Sequence, residues 1–251
     1  SDTKDSAGNE WTSNGNVEIS TSNPQGAASS RPALQLDGES YLQAEDGISL
    51  GGRDFTIDGW AFIDKKCGSY GRIFEFNVAA KNGKNLILSR YGGGSDLTFY
   101  AENNSKTVSN LVDKLFHFAV VYEHRKSIAW LYINGELKTK IDVTIPRRHY
   151  ALAYLGKSSW DSDGLFVGYI YEFKVTDGKA LWTDNFEPPA EYSPLKLDEP
   201  KPQKPEESRS SIIHMPTTPV KPKTSSPFDG IFNKQTKPEP KNKNEKFRNI
   251  F

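Results

Sequence analysis

A seven-residue stretch combines the side chains that most readily bind a sugar. Residues 158–164, Ser-Ser-Trp-Asp-Ser-Asp-Gly, hold one large aromatic ring, two carboxylates and three hydroxyls. An aromatic ring packs against the C–H face of a sugar, while carboxylates and hydroxyls form hydrogen bonds with its hydroxyl groups. A triple-glycine loop elsewhere in the chain supplies two further candidates. The candidate ligand-binding residues are Trp160, Asp161, Asp163, Tyr91 and Asp96.

Two other interpretations of this loop stay open. Trp160 can simply pack the loop against the rest of the fold. Calcium often assists sugar binding, and it takes about six to eight oxygen ligands. Asp161 and Asp163 are the candidate calcium ligands, since their carboxylates lie two residues apart in a polar loop.

Histidine and cysteine chemistry has little support in this sequence. The four histidines, at positions 117, 124, 149 and 214, have neither the spacing of a metal site nor that of a catalytic triad. Cys67 is the one cysteine, which excludes an intrachain disulfide and any site built from several cysteines. No other cofactor is indicated.

The elements that would position the loop are β-strands. Residues 115–141 contain three consecutive strand-like runs, separated by a polar turn and by Asn134-Gly135, a pair typical of a type I′ hairpin. Because Phe116 and Phe118 share one face while Ala119 and Val121 make the other face apolar, we expect the first strand to be covered on both sides.

Short strands recur at about ten-residue spacing over the first 190 residues, with almost no helical periodicity. Residues 33–44 predict a hairpin around Asp37-Gly38. Asp58 interrupts an apolar strand, and we expect its carboxylate to face outward to the sandwich surface. The predicted fold is all-β, a two-sheet antiparallel sandwich of the jelly-roll type.

The chain changes character near its C-terminus. Twelve of its 15 prolines lie in residues 188–251, mixed with Lys, Glu, Ser and Thr, so this part lacks the apolar surface to fold alone. We expect a sandwich domain over residues 1–195 and an extended tail over residues 196–251, disordered or ordered by a partner. Two Phe-x-x-Ile-Phe segments in the tail are candidate docking motifs for a larger protein assembly, through Phe228, Ile231, Phe232, Phe247, Ile250 and Phe251.

Charge and hydropathy limit the classes of partner. The 32 basic and 32 acidic residues balance, and the tail carries only 12 basic against 7 acidic residues. That charge is too dilute for nucleic acid, and no basic patch with interleaved aromatic residues accompanies it. No run of 18 apolar residues occurs, so we expect no membrane span.

Short motifs follow one another in a definite order along residues 1–190. In the first half they are Ser6-Ala7-Gly8-Asn9, Trp11-Thr12, Gly15-Asn16-Val17, Ile19-Ser20-Thr21, Leu36-Asp37-Gly38, Tyr41-Leu42, Asp54-Phe55-Thr56-Ile57 and Trp60. In the second half they are Leu131-Tyr132-Ile133-Asn134-Gly135, Tyr154-Leu155-Gly156-Lys157-Ser158, Trp160, Asp163-Gly164, Gly168-Tyr169-Ile170, Glu172-Phe173-Lys174-Val175-Thr176-Asp177-Gly178 and Asn185-Phe186-Glu187-Pro188-Pro189. This order resembles laminin-G-like domains, of the concanavalin A-like lectin/glucanase type. The Thr-Asp-Gly turn and the Phe-x-Pro-Pro exit are similar to copies in bacteriophage structural proteins and bacterial surface proteins.

The resemblance has two departures. Such domains usually open with an apolar strand, and residues 1–5 offer none. Where the family commonly has Asp before the Glu of its last core strand, this sequence has Tyr171, which weakens a calcium site if that Asp serves an ion. The Glu-x-Asp-x-x-Glu spacing of glucanases on this fold is also absent, so we expect no enzyme.

The resemblance and the 158–164 loop together lead to one expectation and two alternatives. The expectation is a non-catalytic module that binds a glycan or a cell-surface ligand, located outside the cell or on a virion or other particle as a decoration or adhesion protein. The first alternative is a structural accessory subunit that reuses the lectin fold for protein contacts. The second is a glycan-processing enzyme.

Overall fold

The computed structural model describes residues 3–5, 8–22, 28–189 and 246–249. These residues contain β-strands and turns and no α-helix, hence no helix that could cross a membrane. All paired strands are antiparallel, and two eight-stranded sheets face each other. The predicted two-sheet antiparallel sandwich is therefore confirmed.

Sheet A contains, in spatial order, β1 (Thr3–Lys4), β2 (Glu10–Asn14), β5 (Tyr41–Ala44), β16 (Leu152–Leu155), β8 (Arg72–Asn77), β9 (Asn85–Arg90), β10 (Leu97–Ala101) and β11 (Asn104–Val108). Sheet B contains β14 (Glu136–Asp142), β13 (Ile128–Ile133), β12 (Leu115–Glu123), β7 (Phe55–Ile63), β17 (Val167–Asp177), β4 (Ala28–Asp37) and β3 (Glu18–Ser22), with β18 (Lys246–Asn249) also paired to β17. A small third sheet pairs β6 (Ile48–Leu50) with β15 (Arg148–Tyr150).

The core lies between the inner faces of the two sheets. Phe74 and Phe76 of sheet A meet Phe118 and Phe173 of sheet B, with ring centroids 5.7 to 6.3 Å apart across the interface. All four rings are fully buried or nearly so. Aromatic pairs at these distances stabilise a core by more than the burial of their surface alone. These pairs connect the two sheets.

The predicted three-stranded run at residues 115–141 is confirmed as β12, β13 and β14. Asn134 and Gly135 have φ values of 51° and 75°, as a type I′ turn requires. β12 is covered on both faces, as expected. Phe116 and Phe118 point into the core, whereas Ala119 and Val121 belong to the outer face of sheet B.

The outer face of sheet B is covered by the chain that follows β17, residues 179–189, which we call the cover segment. Trp182 and Phe186 stack on each other with centroids 4.1 Å apart and rings 8° from parallel. Phe186 N donates a hydrogen bond to Gly135 O, and a Cβ at position 135 would lie 1.8 Å from Phe186 O. Glycine at position 135 is thus required both by its φ and by this close approach.

Two sequence-based predictions are corrected by the strand pairing. The residues around Asp37-Gly38 form a turn, but the strands on either side do not pair with each other. β4 joins sheet B and β5 joins sheet A, so this turn crosses between the sheets. Alternation of apolar residues indicates strands but does not say which strands pair.

Asp58 lies on the outer face of sheet B, yet its side chain is fully buried instead of exposed. Lys174 Nζ lies 3.3 Å from its carboxylate and His117 Nε2 lies 3.8 Å away. Trp60, Trp182 and Phe186 surround His117. The cover segment explains the burial, because it removes this outward-facing carboxylate from water.

One stretch of the C-terminal tail contributes a strand to the sandwich. β4 pairs with β17 only from Val167 to Tyr171, and a bulge follows at Glu172, whose φ is 47°. Beyond the bulge, β18 pairs with Lys174–Asp177. Phe247 thus lies in a strand, whereas Phe228, Ile231, Phe232, Ile250 and Phe251 lie outside the described residues, as does all of 190–245.

Candidate functional site

The outer face of sheet A carries a cluster of buried polar groups that begins with a bulge in β8. Residues three apart on a regular strand lie on opposite faces. The pairing of β8 with β9 shifts register between Arg72 and Phe74, and this brings Arg72 to the same side as Glu75. Arg72 Nε then donates a hydrogen bond of 3.1 Å to Glu75 Oε2. Both side chains are at most 6% exposed.

The 158–164 loop packs over this pair. Asp163 Oδ2 accepts hydrogen bonds of 2.7 Å from Arg72 Nη2 and from Ser158 Oγ. Trp160 N donates to Ser158 Oγ, and Asp163 N donates to Trp160 O. Asp163 therefore ties the loop to the guanidinium of Arg72.

A glycine pair lets this loop approach the chain before β8. The Cα of Gly164 would lie 2.8 Å from a Cβ at Gly68, and Gly164 N donates to Ser69 O. On the other side, Ser159 N donates to Glu75 Oε1, and Asn77 Nδ2 contacts both Glu75 and Ser159. The loop is thus held to sheet A from both ends.

Above these contacts lies a cleft of about 340 Å³, within the range of small-molecule sites. It is lined by Tyr70, Arg72, Asn85, Ile87, Tyr100, Asn103, Trp160 and Asp163. Strand pairing explains the floor, because Glu75, Ile87 and Tyr100 stand opposite one another on β8, β9 and β10. Trp160 closes one side of the cleft and Tyr70 lies on another.

Aromatic rings flank the guanidinium in the cleft. Arg72 Cζ lies 6.0 Å from the centroid of Tyr70 and 5.8 Å from that of Trp160. These are cation–π distances. Burial raises the pKa of Tyr100, although the Arg72 charge opposes the shift, so its phenol is a neutral hydrogen-bonding group near neutral pH.

Two buried polar atoms of the lining side chains have no hydrogen-bond partner among the described residues. They are Arg72 Nη1, a donor, and Asn85 Oδ1, an acceptor. Both residues are at least 94% buried. An unpaired buried polar group costs about 1–3 kcal/mol, and because these two atoms have almost no accessible surface, that cost falls on the fold beneath the cleft.

The structure brings together some of the predicted site residues and separates others. Trp160 and Asp163 line the cleft. Tyr91 stands outside the lining, edge-on to Tyr70 at 6.0 Å and 47% exposed. Asp161 projects into solvent near Lys81. Asp96 does not line the cleft, and instead accepts a hydrogen bond from Asn110 N.

Sequence reasoning missed most of the cleft, namely Tyr70, Arg72, Asn85, Ile87, Tyr100 and Asn103. A signal did exist. Short strands at about ten-residue spacing were predicted in this region, and on β8, β9 and β10 polar or aromatic residues recur at alternate positions. Aligning these positions across a meander would have placed Glu75, Ile87 and Tyr100 in one row.

The arrangement fits a calcium ion poorly. Asp163 already accepts from Arg72 and Ser158, while the Asp161 side chain is 96% exposed. No group of three or more His, Cys, Asp or Glu side chains within the described ranges could hold a metal. The calcium site at Asp161 and Asp163 stays a prediction.

A second depression, of about 520 Å³, lies beside the cover segment on sheet B. Two of its polar side chains are hydrogen-bonded within the protein. Trp130 Nε1 donates to Glu123, and Asn185 Oδ1 accepts from Leu137 N. The sheet A cleft, which has three aromatic rings in its lining beside the Arg72–Asp163 ion pair, is the stronger candidate for ligand binding.

Solved structures share this fold at low sequence identity. Domain 4 of AbnA, a GH43 extracellular arabinanase from Geobacillus stearothermophilus solved in complex with arabinotriose, is 17% identical with a TM-score of 0.50, over 67% of this chain and 82% of that one. The botulinum neurotoxin serotype C1 binding domain is 17% identical with a TM-score of 0.48, and that of botulinum neurotoxin DC, in complex with rat synaptotagmin II, is 16% identical with a TM-score of 0.48. Each match covers 70% of this chain and 45% of the toxin chain, so this chain spans less than half of either toxin domain.

Sequence comparison identifies the family. A search of curated protein sequences found no match. Residues 36–183, more than half of the chain, match the model of the concanavalin A-like lectin/glucanases superfamily. The match includes β5 to β17, and it covers every residue that lines the cleft. The resemblance inferred from the order of short motifs is confirmed, and the chain belongs to the concanavalin A-like lectin/glucanases superfamily.

Proposed function

We propose that the protein is a non-catalytic carbohydrate-binding module whose ligand site is the sheet A cleft. One observation carries the proposal. The rings of Tyr70, Tyr100 and Trp160 line a cleft that also contains the Tyr70 and Tyr100 hydroxyls and the Asn103 side-chain amide. A sugar ring offers C–H faces to aromatic rings and hydroxyls that both donate and accept.

The carboxylates of the cleft support a binding role over catalysis. Glycoside hydrolysis uses two carboxyl groups, about 5 to 9.5 Å apart, on either side of the bond that breaks. Asp163 is the one carboxylate among the lining residues that the structure describes, and it is engaged by Arg72. Glu75 is fully buried and hydrogen-bonded beneath the cleft.

The arabinanase neighbour adds a probe for this proposal. Its domain 4 was solved with arabinotriose, so arabinotriose belongs in any ligand panel for this chain. We place the module outside the cell or on a virion or other particle, where a lectin-like domain meets glycans. A structural accessory role is the alternative if no sugar binds.

The test compares two tryptophans on a panel of immobilised glycans and arabinotriose. Trp160→Ala removes one wall of the cleft and should lower affinity at least tenfold. Trp130→Ala is the matched control, because Trp130 lies on the outer face of sheet B and does not line the cleft. Circular dichroism and thermal unfolding establish that both variants fold.

Equal loss of binding in both variants, or unchanged binding in Trp160→Ala, would reject the cleft as the ligand site. Silence of the wild-type protein across the whole panel would reject the carbohydrate function and favour the structural role. Repeating the panel with calcium and with EDTA tests the predicted calcium site at Asp161 and Asp163.

The tail is proposed to tether the module to a larger assembly through its two Phe-x-x-Ile-Phe segments. Strand addition is a recognised way for short peptides to dock on a sheet, and β18 is an example of such pairing within the chain. Deleting residues 227–251 should abolish incorporation into the assembly while sugar binding stays intact. Unchanged incorporation would reject the tether.

A further inference from the structure

The cleft has an unbalanced charge. The Arg72 guanidinium carries one positive charge and contacts two carboxylates, Glu75 at 3.1 Å and Asp163 at 2.7 Å. All three groups are largely buried, with exposed fractions of 6%, 0% and 12%. Charges removed from water interact more strongly. The polar wall therefore holds a surplus of one negative charge.

Cations near the rim do little to offset this surplus. Lys81 lies 3.5 Å from Asp161 at the surface, and both side chains are mostly exposed. Arg148 makes two hydrogen bonds to Glu102, on the turn after β10. These two cations have carboxylate partners of their own: the exposed Lys81–Asp161 pair contributes little at a distance, and the largely buried Arg148–Glu102 pair is neutral overall.

The donors of Arg72 are also nearly used up. Nε binds Glu75 and Nη2 binds Asp163, which leaves only the Nη1 edge without a partner among the described residues. Carboxylate recognition by arginine normally uses two parallel donors from different nitrogens. Nη1 has almost no accessible surface, so Arg72 cannot offer such a pair, whereas the Tyr70 and Tyr100 hydroxyls and the Asn103 amide can pair with sugar hydroxyls.

We propose that the cleft selects uncharged saccharides and discriminates against sugars that carry a carboxylate. The proposal rests on the carbohydrate-binding function above and adds the chemical class of the ligand. Asp163 is the specificity-determining residue, since it supplies the surplus charge at the cleft surface and occupies the Arg72 edge that a ligand carboxylate would need.

The test uses matched pairs of probes that differ by one acidic group. The first pair is methyl glucoside with methyl glucuronide, and the second is a galactose-terminated glycan with its sialylated form. Isothermal titration on the full chain at neutral pH should give at least tenfold tighter binding for the neutral member of each pair that binds. Added salt should weaken this discrimination, since it screens repulsion of the acidic probe.

Asp163→Asn provides the decisive variant, because it removes the charge and keeps a side chain of the same shape. It should lower the neutral-to-acidic affinity ratio at least fivefold, mainly through better binding of the acidic probe. If Asp163→Asn does not fold, the salt dependence of the wild-type protein takes its place.

The outcomes separate this inference from the function on which it rests. Acidic probes that bind as tightly as neutral ones, or a ratio that neither Asp163→Asn nor salt changes, would overturn the charge selection and leave sugar binding standing. If neither member of either pair binds, and no glycan of the wider panel binds, the carbohydrate function is overturned and this inference with it.

Discussion

The two outer faces of this sandwich are treated in opposite ways. On sheet B, the cover segment lays Trp182 and Phe186 over the strands, and Asp58 and His117 are buried beneath them. On sheet A, the 158–164 loop stops beside the strands and leaves a cleft with aromatic and polar walls. The same kind of surface is thus covered by the chain on sheet B and left open as a cleft on sheet A.

The ion networks on the two sheets also have opposite arrangements of charge. On sheet A one arginine, Arg72, lies between two carboxylates. At the end of β17 in sheet B one carboxylate, Asp177, is held by Arg53 and Arg147. The first network lies under the cleft and holds the 158–164 loop, whereas the second joins loops around a fully buried group. Both networks therefore connect distant segments, but only the first includes residues that line the cleft.

Removing Arg72 should have the largest effect on stability. Arg72→Met leaves Glu75 and Asp163 without their cation, and breaking a buried ion pair on one side costs about 3–5 kcal/mol. Urea unfolding measures the loss. The double variant Arg72→Met with Glu75→Gln should recover part of it, because one of the two buried charges is then gone. A single variant as stable as the wild type would show that this network does not hold the cleft.

Weakening the contacts of the cover segment with sheet B should lower the free energy of unfolding slightly less. Phe186→Ala removes a half-buried ring stacked on Trp182, and we expect a loss of about 2–3 kcal/mol in the free energy of unfolding. Tyr91→Ala, on an exposed ring of the sheet A side, is the matched control and should cost under about 1 kcal/mol. Similar losses in the two variants would contradict the view that only sheet B depends on a cover.

The sequence contained enough to predict the sandwich but not which surface would be open. Apolar alternation and Asn134-Gly135 specify strands and a hairpin locally, and these predictions held. Both faces of β12 read as apolar, which correctly indicated a cover on sheet B. The identity of that cover came from contacts between Phe186 and Gly135, about fifty residues apart, which local patterns do not encode.

The cleft was predicted only in part for a similar reason. The 158–164 loop is continuous in sequence, so Trp160 and Asp163 were found together. Arg72, Asn85 and Tyr100 come from three strands and meet only through strand register and a bulge in β8. Asp58 was placed on the correct face, yet its burial depends on a segment more than a hundred residues later.

Asp177→Asn tests the ion network at the end of β17 through the pH dependence of stability. Burial would raise the pKa of Asp177, but hydrogen bonds from Arg53 and Arg147 outweigh it and hold that pKa below its usual value. A lowered pKa stabilises the fold above the unfolded-state pKa of about 3.9, and this contribution is lost as pH falls through the lower folded-state pKa. The variant should lose about 2 kcal/mol at pH 7, since both arginines are partly exposed and solvated.

The difference in stability between wild type and Asp177→Asn should shrink between pH 5 and pH 2. Denaturant unfolding at several pH values measures it. A gap that stays constant over this range would mean that the ion pairs do not supply the stabilisation and that the asparagine fails for steric reasons.

The smallest effect on stability is expected at Asp161, where the 158–164 loop is exposed to solvent. Asp161→Ala removes an exposed partner of Lys81, and such pairs contribute about 0–1 kcal/mol, so unfolding should shift by under about 0.5 kcal/mol. Asp163→Ala should cost clearly more, because Asp163 binds both Arg72 and Ser158. Thermal unfolding with calcium and with EDTA sharpens the contrast. If Asp161 ligates calcium, the ion raises the melting temperature of the wild type and Asp161→Ala abolishes that rise; if the loop is held only by its protein contacts, both proteins melt at the same temperature in either buffer.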